Sequence, residues 1–412
     1  MNGIFALFLV YLIVPKIDIL PGVRPEDLVF LAAFALYLLK ERQGNLLITK
    51  SMKLYLIFIV INLTSAAINF ELNGSKGFLY SLRLFQYVLW YPIMWKGCQD
   101  LTKEQIVRGF TGISAILFVW GMLEFTGMVP KIGNFVGATG RLSLNTGGPY
   151  EAAVMIAMLG YIVNGIVLTP LLLVIVVLTQ ARITTAAVAI GYIITRPGRT
   201  ALLAIIAGTA ALLLSPQIDS MLKGSRYQAQ ESQYSMIGLI RYEWDVVPTF
   251  TDPSLFRDAF IENLADLKYM PDKVGDLSFN IRAVRWPIVY KSVIGSPISL
   301  LIGFGPGAWG NALDGYHARL AGEVGLLGII VFVLWFLQLL RESRKQSVVF
   351  YSLIVISISS IFIDIFVSSK VMPLLWVFAV LQAIGHPASQ VGDWRGLRNR
   401  GGGGSGRTGQ SV

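Results

Sequence analysis

Residues 314–340 read DGYHARLAGEVGLLGIIVFVLWFLQLL. From 329 to 340 the run carries no charge, and it is long enough with its flank to cross a hydrocarbon layer of ~30 Å. Just ahead of it stand an aspartate, a histidine, an arginine and a glutamate, and ahead of those the glycine-rich GFGPGAWG at 303–310. Ionisable groups at the lip of a membrane-grade segment are costly inside lipid and tend to serve a function. Their purpose depends on which side of the bilayer the lip faces.

The rest of the chain repeats this pattern. Apolar residues make up 54% of the 412 and charged residues 14%, far more apolar runs than a soluble core of this size requires. The sequence predicts an all-α polytopic integral membrane protein with about twelve transmembrane helices. Candidate spans are 2–14, 28–39, 54–70, 78–95, 106–126, 150–164, 166–179, 183–195, 200–215, 319–340, 347–367 and 371–385. The first run, IFALFLVYLIV, is followed by Pro15, Lys16 and Asp18 with no small-residue cleavage site. It reads as a retained helix and not a removed signal.

Lys and Arg set the orientation. Basic residues cluster at Lys40, Arg42, Lys50 and Lys53, at Lys96, Lys103 and Arg108, at Arg196 and Arg199, and at Arg341, Arg344 and Lys345. A further group, Arg395, Arg398 and Arg400, lies in the tail. With both termini in the cytoplasm, every cluster falls on the cytoplasmic side. The net charge of +10 is therefore a topology signal, and nucleic acid is excluded as its partner. The chain divides into N-terminal helices (1–215), a periplasmic cap loop (216–313), C-terminal helices (314–386) and a tail (387–412) ending in the linker- or tag-like GGGGSGRTGQSV. The cap balances acids against bases and contains SLFRDAFIENLADL, whose apolar positions share a helical face. It is predicted to be mainly helical.

One cysteine, Cys98, excludes disulfides within the chain. The two histidines, His317 and His386, fall on opposite sides, which argues against a zinc or di-metal centre. No metal or cofactor is expected. The G-x-G spacing in GFGPGAWG lacks a βαβ context, and Pro306 removes a backbone donor, so it reads as a turn and not a dinucleotide cradle.

Arg83, Glu124, Glu151, Arg182 and Asp364 lie at or near outer helix ends, with Asp314, His317, Arg319 and Glu323 at the start of the helix after the cap. Singly, each reads best as an interface residue. As a set they describe a polar cavity open to the outside, lined by Arg83, Arg141, Arg182, Arg282 and Arg285. Arginine stays charged and grips phosphate oxygens bidentately, which suits a lipid pyrophosphate. Outside the cytoplasm there is no nucleotide pool, so a transferase there needs a donor already carrying its leaving group. A polyprenyl-diphosphate-linked sugar meets that need. Arginines would stabilise the departing diphosphate, and a carboxylate or imidazole would take the proton from a sugar hydroxyl.

Several segments in order, RPEDLVFLAAF, LRLFQYVLWYP, LTQARITTAAVAI, SFNIRAVRWPIVYKSVIGSPISLLIGFGPG and DGYHARLAGEVGLLG, resemble the O-antigen polymerase and O-antigen ligase superfamily. The resemblance implies periplasmic glycosyltransferases with a GT-C-like membrane bundle. Ligase-type members place a histidine ahead of a Gly-x-x-Gly pair in an H-[NSQ]-x9-G-x-x-G pattern. Here the pair is Gly325 and Gly328, and the matching position holds Asp314, with His317 one helical turn late. That departure favours polymerase over ligase, and leaves the base open between Asp314, His317 and Glu323. The resemblance also implies that Arg182 and Arg282, the latter in R-x-x-x-W spacing with Trp286, engage pyrophosphate, with Arg285 beside them.

The sequence thus leads to a polymerase in a bacterial inner membrane with its active site facing the periplasm. It would transfer a glycan from one undecaprenyl-diphosphate-linked oligosaccharide to the non-reducing end of another. Arg319 and Tyr316 would support the site, and a chain-length regulator is an implied partner. The alternatives are a ligase acting on lipid A core or protein, a lipid-linked oligosaccharide flippase, and a non-catalytic scaffold.

Overall fold

The computed structural model describes residues 2–17, 19, 24–40, 46–130, 141–197, 241, 244–245, 277–310 and 313–385. The candidate span 200–215, the helical stretch around 255–267 and His386 lie outside these residues. Among the described residues the chain is all-helical, with no strand. The helices are α1 (Gly3–Ile13), α2 (Pro25–Leu39), α3 (Lys50–Ile68), α4 (Phe70–Asn73), α5 (Ser75–Cys98), α6 (Lys103–Phe125) and α7 (Pro149–Val163). They continue with α8 (Leu168–Leu178), α9 (Arg182–Thr195), α10 (Leu277–Ile294), α11 (Pro297–Ile302), α12 (Tyr316–Glu342), α13 (Val348–Ser360) and α14 (Val371–Ala383).

Three of them, α3, α6 and α12, are long and apolar enough to cross a membrane, and several shorter apolar helices pack beside them. Local chemistry fixes the helix starts. Thr49, Thr102 and Ser347 accept hydrogen bonds from Met52, Gln105 and Phe350 amides, relieving unpaired donors of the first turn. Pro25 and Pro149 open α2 and α7, where a missing N–H costs nothing.

The C-terminal helices do not stand apart. α12 packs against α3, α14 against α5, and α13 against α9, so one apolar core joins both halves of the chain. In lipid the burial of apolar surface drives helix association weakly, and close packing carries more of it. Here Tyr55 of α3 meets Trp335 of α12 and Trp376 of α14, with ring centroids 5.0 Å apart in both pairs.

Polar contacts sort the helix ends into two groups. In one, Lys96 donates to the Tyr37 and Lys40 carbonyls, Ser51 to Glu342, Gln382 to the Glu342 carbonyl, and Arg196 to Asn164. The other group joins the end of α1 to the starts of α2, α5, α7, α12 and α14. It holds almost all the ionisable side chains that the sequence singles out.

Two sequence expectations change. The apolar run 347–367 suggests one span, but α13 stops at Ser360 and a short 3-10 turn covers Ile365–Val367. Asp364 stands in the gap and accepts backbone hydrogen bonds from Leu313 and Gly315, a contact no local pattern encodes. The α12 run is also interrupted. Gly325 adopts φ 59° and ψ −160°, breaking the helix one turn past the polar lip.

The break explains GFGPGAWG. Disrupting the ladder frees the carbonyls of Gly322 and Glu323, and the amides of Phe304 and Gly305 take them at 2.8 and 3.0 Å. Side chains on α3, at its end and on α4 complete the joint. Ser65 donates to the carbonyls of Ile302 and Glu323, Asn69 to Gly303, and Asn73 to Phe304. Irregular backbone beside lipid is tolerated only where neighbours satisfy it, and here they do. A Cβ on Gly325 would lie 2.6 Å from the Gly303 and Ile302 amide nitrogens, so only glycine permits this approach. The segment is a turn, as its spacing suggests, but it is also the splint of a broken helix.

Candidate functional site

Above that joint, α10 lies across the start of α12. A small apolar cluster of Ile288, Val289, Val293, Phe304, Ala308, Trp309 and Leu313 fastens it to the glycine-rich loop. Helical spacing then brings Arg282, Arg285, Trp286 and Tyr290 to the side of α10 that meets residues 314–317. Gly315 permits the contact, since a Cβ there would fall 2.9 Å from the Trp286 indole nitrogen.

Asp314 is the most open acid of the group, with 30% of its side chain exposed. Its backbone is left-handed, at φ 53°, a conformation aspartate tolerates better than most residues. Its carboxylate stands 3.8 Å from the Arg282 guanidinium. Burial pushes its pKa above the usual carboxylate range, and the Asp364 charge adds to that. Arg282, Arg285 and Arg319 oppose it. Burial likewise lowers the Arg285 pKa from its ordinary value, against the pull of Asp314 and Asp364. The Nε of Arg282 is buried and has no hydrogen-bond acceptor among the described residues.

The other two candidate bases are engaged. Glu323 is buried, and one carboxylate oxygen accepts from Arg319 at 2.7 Å and from the Gly307 amide at 2.9 Å. His317 Nε2 faces the Ile361 carbonyl at 3.0 Å, and a carbonyl can only accept. Nε2 therefore carries the proton, leaving Nδ1 of the neutral ring to accept from the Tyr290 hydroxyl at 2.6 Å. Burial pushes the Tyr290 pKa up to about 12, so the phenol remains a donor. His317 links α10, α12 and the end of α13 with both ring nitrogens occupied.

Arg319 sits beneath, buried between Glu323 and Asp364 (3.0 Å), and also donates to the Gly310 carbonyl. Tyr316 turns into the core against Phe332 and Phe366. Seven residues singled out by sequence, Arg282, Arg285, Asp314, Tyr316, His317, Arg319 and Glu323, thus share one region.

The remaining arginines make contacts of their own. Arg83 pairs with Asp27 at 3.9 Å, one turn from Tyr80, which packs on Gly307. Arg141 donates to the Thr179 carbonyl and lies over the Tyr150 ring. Arg182 opens α9 three residues later and is exposed. The α9 residue Thr184 meets Ser359 near the end of α13, whose Ile361 carbonyl holds His317.

Tyr290 has no role in the sequence reading, although i+4 spacing from Trp286 puts it on the arginine face of α10. Asp364 is visible there only as a membrane-level charge, with nothing to indicate its partners. In a second ionic group the sequence reading singles out only Glu151, and the central pair escapes it. Lys370 pairs with Glu26 at 3.0 Å, both wholly buried, and donates to the Tyr11 and Val14 carbonyls at the end of α1. Glu151 adjoins it, bonded to Lys16 and Ser368.

Among the described residues no group of three or more His, Cys, Asp or Glu could hold a metal ion. No protein-family model matches the chain, and neither a curated protein nor a solved structure does. The chemistry of the site therefore stands on its own residues.

Proposed function

We propose that the protein is a membrane-embedded glycosyltransferase, a polymerase that extends one lipid-diphosphate-linked glycan with another. The observation that carries the reading is Asp314, a partly open carboxylate beside Arg282 and Arg285 at the polar end of an apolar helical bundle. Asp314 is the base in this scheme. It takes the proton as an acceptor sugar hydroxyl forms its new bond to the donor anomeric carbon, and the donor's bond to its diphosphate breaks. The leaving diphosphate carries the charge that Arg282 and Arg285 offset, with Arg182 and Arg141 along its approach and Arg83 at the far rim. His317 holds α10 in place, and Glu323, Arg319 and Tyr316 support the floor.

The reading includes about twelve crossings in a GT-C-like bundle, a bacterial inner membrane, and a site facing the periplasm. Donor and acceptor are undecaprenyl-diphosphate-linked oligosaccharides, and a chain-length regulator is the expected protein partner. The test is purified protein in nanodiscs given lipid-linked repeats alone. Chain growth supports polymerase. Transfer that appears only after lipid A core or protein is added makes it a ligase, and no transfer to any acceptor removes the enzyme reading.

A transporter reading draws on the wholly buried Lys370–Glu26 pair, since charges enclosed by a bundle often mark translocation paths. Flux of lipid-linked oligosaccharide across liposomes, lost in Lys370→Met, would favour it.

A further inference from the structure

Asp314 could not hold its place unaided. Its left-handed backbone is disfavoured, and its ion pair with Arg282, at 3.8 Å, is loose. The two amides on either side of it, those of Leu313 and Gly315, both donate to the same carboxylate. Asp364 Oδ2 accepts from Leu313 at 3.2 Å and Oδ1 from Gly315 at 3.3 Å. Oδ2 also accepts from Arg319 at 3.0 Å, which fixes the carboxylate against α12. The Asp364 carboxylate makes no capping bond to the 3-10 turn that follows it. It occupies the gap after α13, and the helix ends early to present it.

From this geometry we infer that Asp364 is a positioning residue: it clamps residues 313–315 from both sides and so aims the Asp314 carboxylate at Arg282. This rests on the reading of Asp314 as the base, but the clamp is a physical claim that can be tested separately. Among the described residues, the charged groups that act on Asp314 are Arg282 and Arg285 from α10, Arg319 from α12, and Asp364 itself. The uncharged His317–Tyr290 pair ties the same two helices together. Asp364 acts on Asp314 in two ways, holding its backbone and raising its proton affinity through like charge.

Asparagine at 364 keeps one acceptor oxygen but loses the charge and the second acceptor. Asp364→Asn is expected to lower chain-growth turnover about 100-fold, the scale of an ångström-level misplacement, with little change in donor KM. The acid limb of its pH profile should also move to lower pH, because a negative neighbour of Asp314 is gone. A merely structural role would not shift that limb.

The clamp is read independently of activity by amide hydrogen exchange of residues 313–318, in full-length protein in nanodiscs. Asp364→Ala should speed exchange there, whereas Asp314→Asn should leave it slow while lowering chain growth about 10²–10⁴-fold. Unchanged protection in Asp364→Ala, or an unmoved acid limb in an active Asp364→Asn, overturns the inference. Faster exchange in Asp364→Ala combined with no chain growth by the wild type supports the clamp and removes the proposed function instead.

Discussion

Two ionic groups occupy the same end of the bundle, and they are built differently. Around Lys370 the charges are sealed. Lys370 and Glu26 are wholly buried at the centre, Lys16 and Glu151 adjoin them with 18% and 9% of their side chains exposed, and the Lys370 ammonium also caps the carbonyl end of α1, where helix polarity favours a cation. Around Asp314 the charges are graded. Arg319 and Glu323 are buried at the bottom, Asp364 is slightly exposed above them, and Asp314 opens at the top beside two arginines. A sealed central pair and its neighbours fasten α1, α2, α7 and α14 together. A carboxylate held in a disfavoured backbone and left partly open is arranged for something that arrives from outside.

The largest effect that could break this contrast is on turnover. Asp314→Asn should cost about 10²–10⁴-fold in chain growth, the usual weight of a general base, with an unchanged melting temperature. A large drop in melting temperature would instead make Asp314 a second fastening charge. The sealed group should behave in the opposite way. Lys370→Met leaves the buried Glu26 carboxylate to the more distant Arg24 guanidinium, 3.7 Å away, and should destabilise by up to about 3–5 kcal/mol, read as a lower melting temperature in detergent. Adding Glu26→Gln should recover most of that loss.

The joint under the open group should be next. Gly325→Ala places a side chain on a left-handed backbone against neighbouring amides, and should cost about 1–3 kcal/mol from strain alone. Tyr290→Phe removes one hydrogen bond to His317 and should cost about 1 kcal/mol. Its chain growth should fall modestly. A collapse of activity would return His317 to the role of base.

The pH profile sharpens the contrast without mutation. A base must be ionised to act, and burial raises the proton affinity of Asp314. Activity should therefore be absent at low pH and rise through a value above the ordinary ~4 of an aspartate.

Much of this was legible in the residues. The apolar run 54–70 is α3, 106–126 is α6 and 319–340 is α12, each within a few residues, because hydropathy is a local property. The candidate acids and arginines near 282 and 314 do meet, since helical spacing on α10 brings its arginines to one side. What stayed hidden depends on distant contacts. The end of α13 at Ser360 answers to amides at 313 and 315, and the Lys370–Glu26 pair joins opposite ends of the chain. The break at Gly325 is invisible to hydropathy because its cause is the glycine loop some twenty residues earlier. Likewise, DGYHARLAGE offers three candidate bases in sequence, Asp314, His317 and Glu323, and only the partners of each ring and carboxylate rank them.

If the open group is where the lipid diphosphate binds, a structure with undecaprenyl diphosphate bound will show it. The diphosphate should lie within hydrogen-bond reach of Arg282 and Arg285, with Asp314 facing its sugar-bearing side. A diphosphate seated instead beside Lys370 and Glu26, or anywhere the α10 arginines cannot reach, would contradict that assignment.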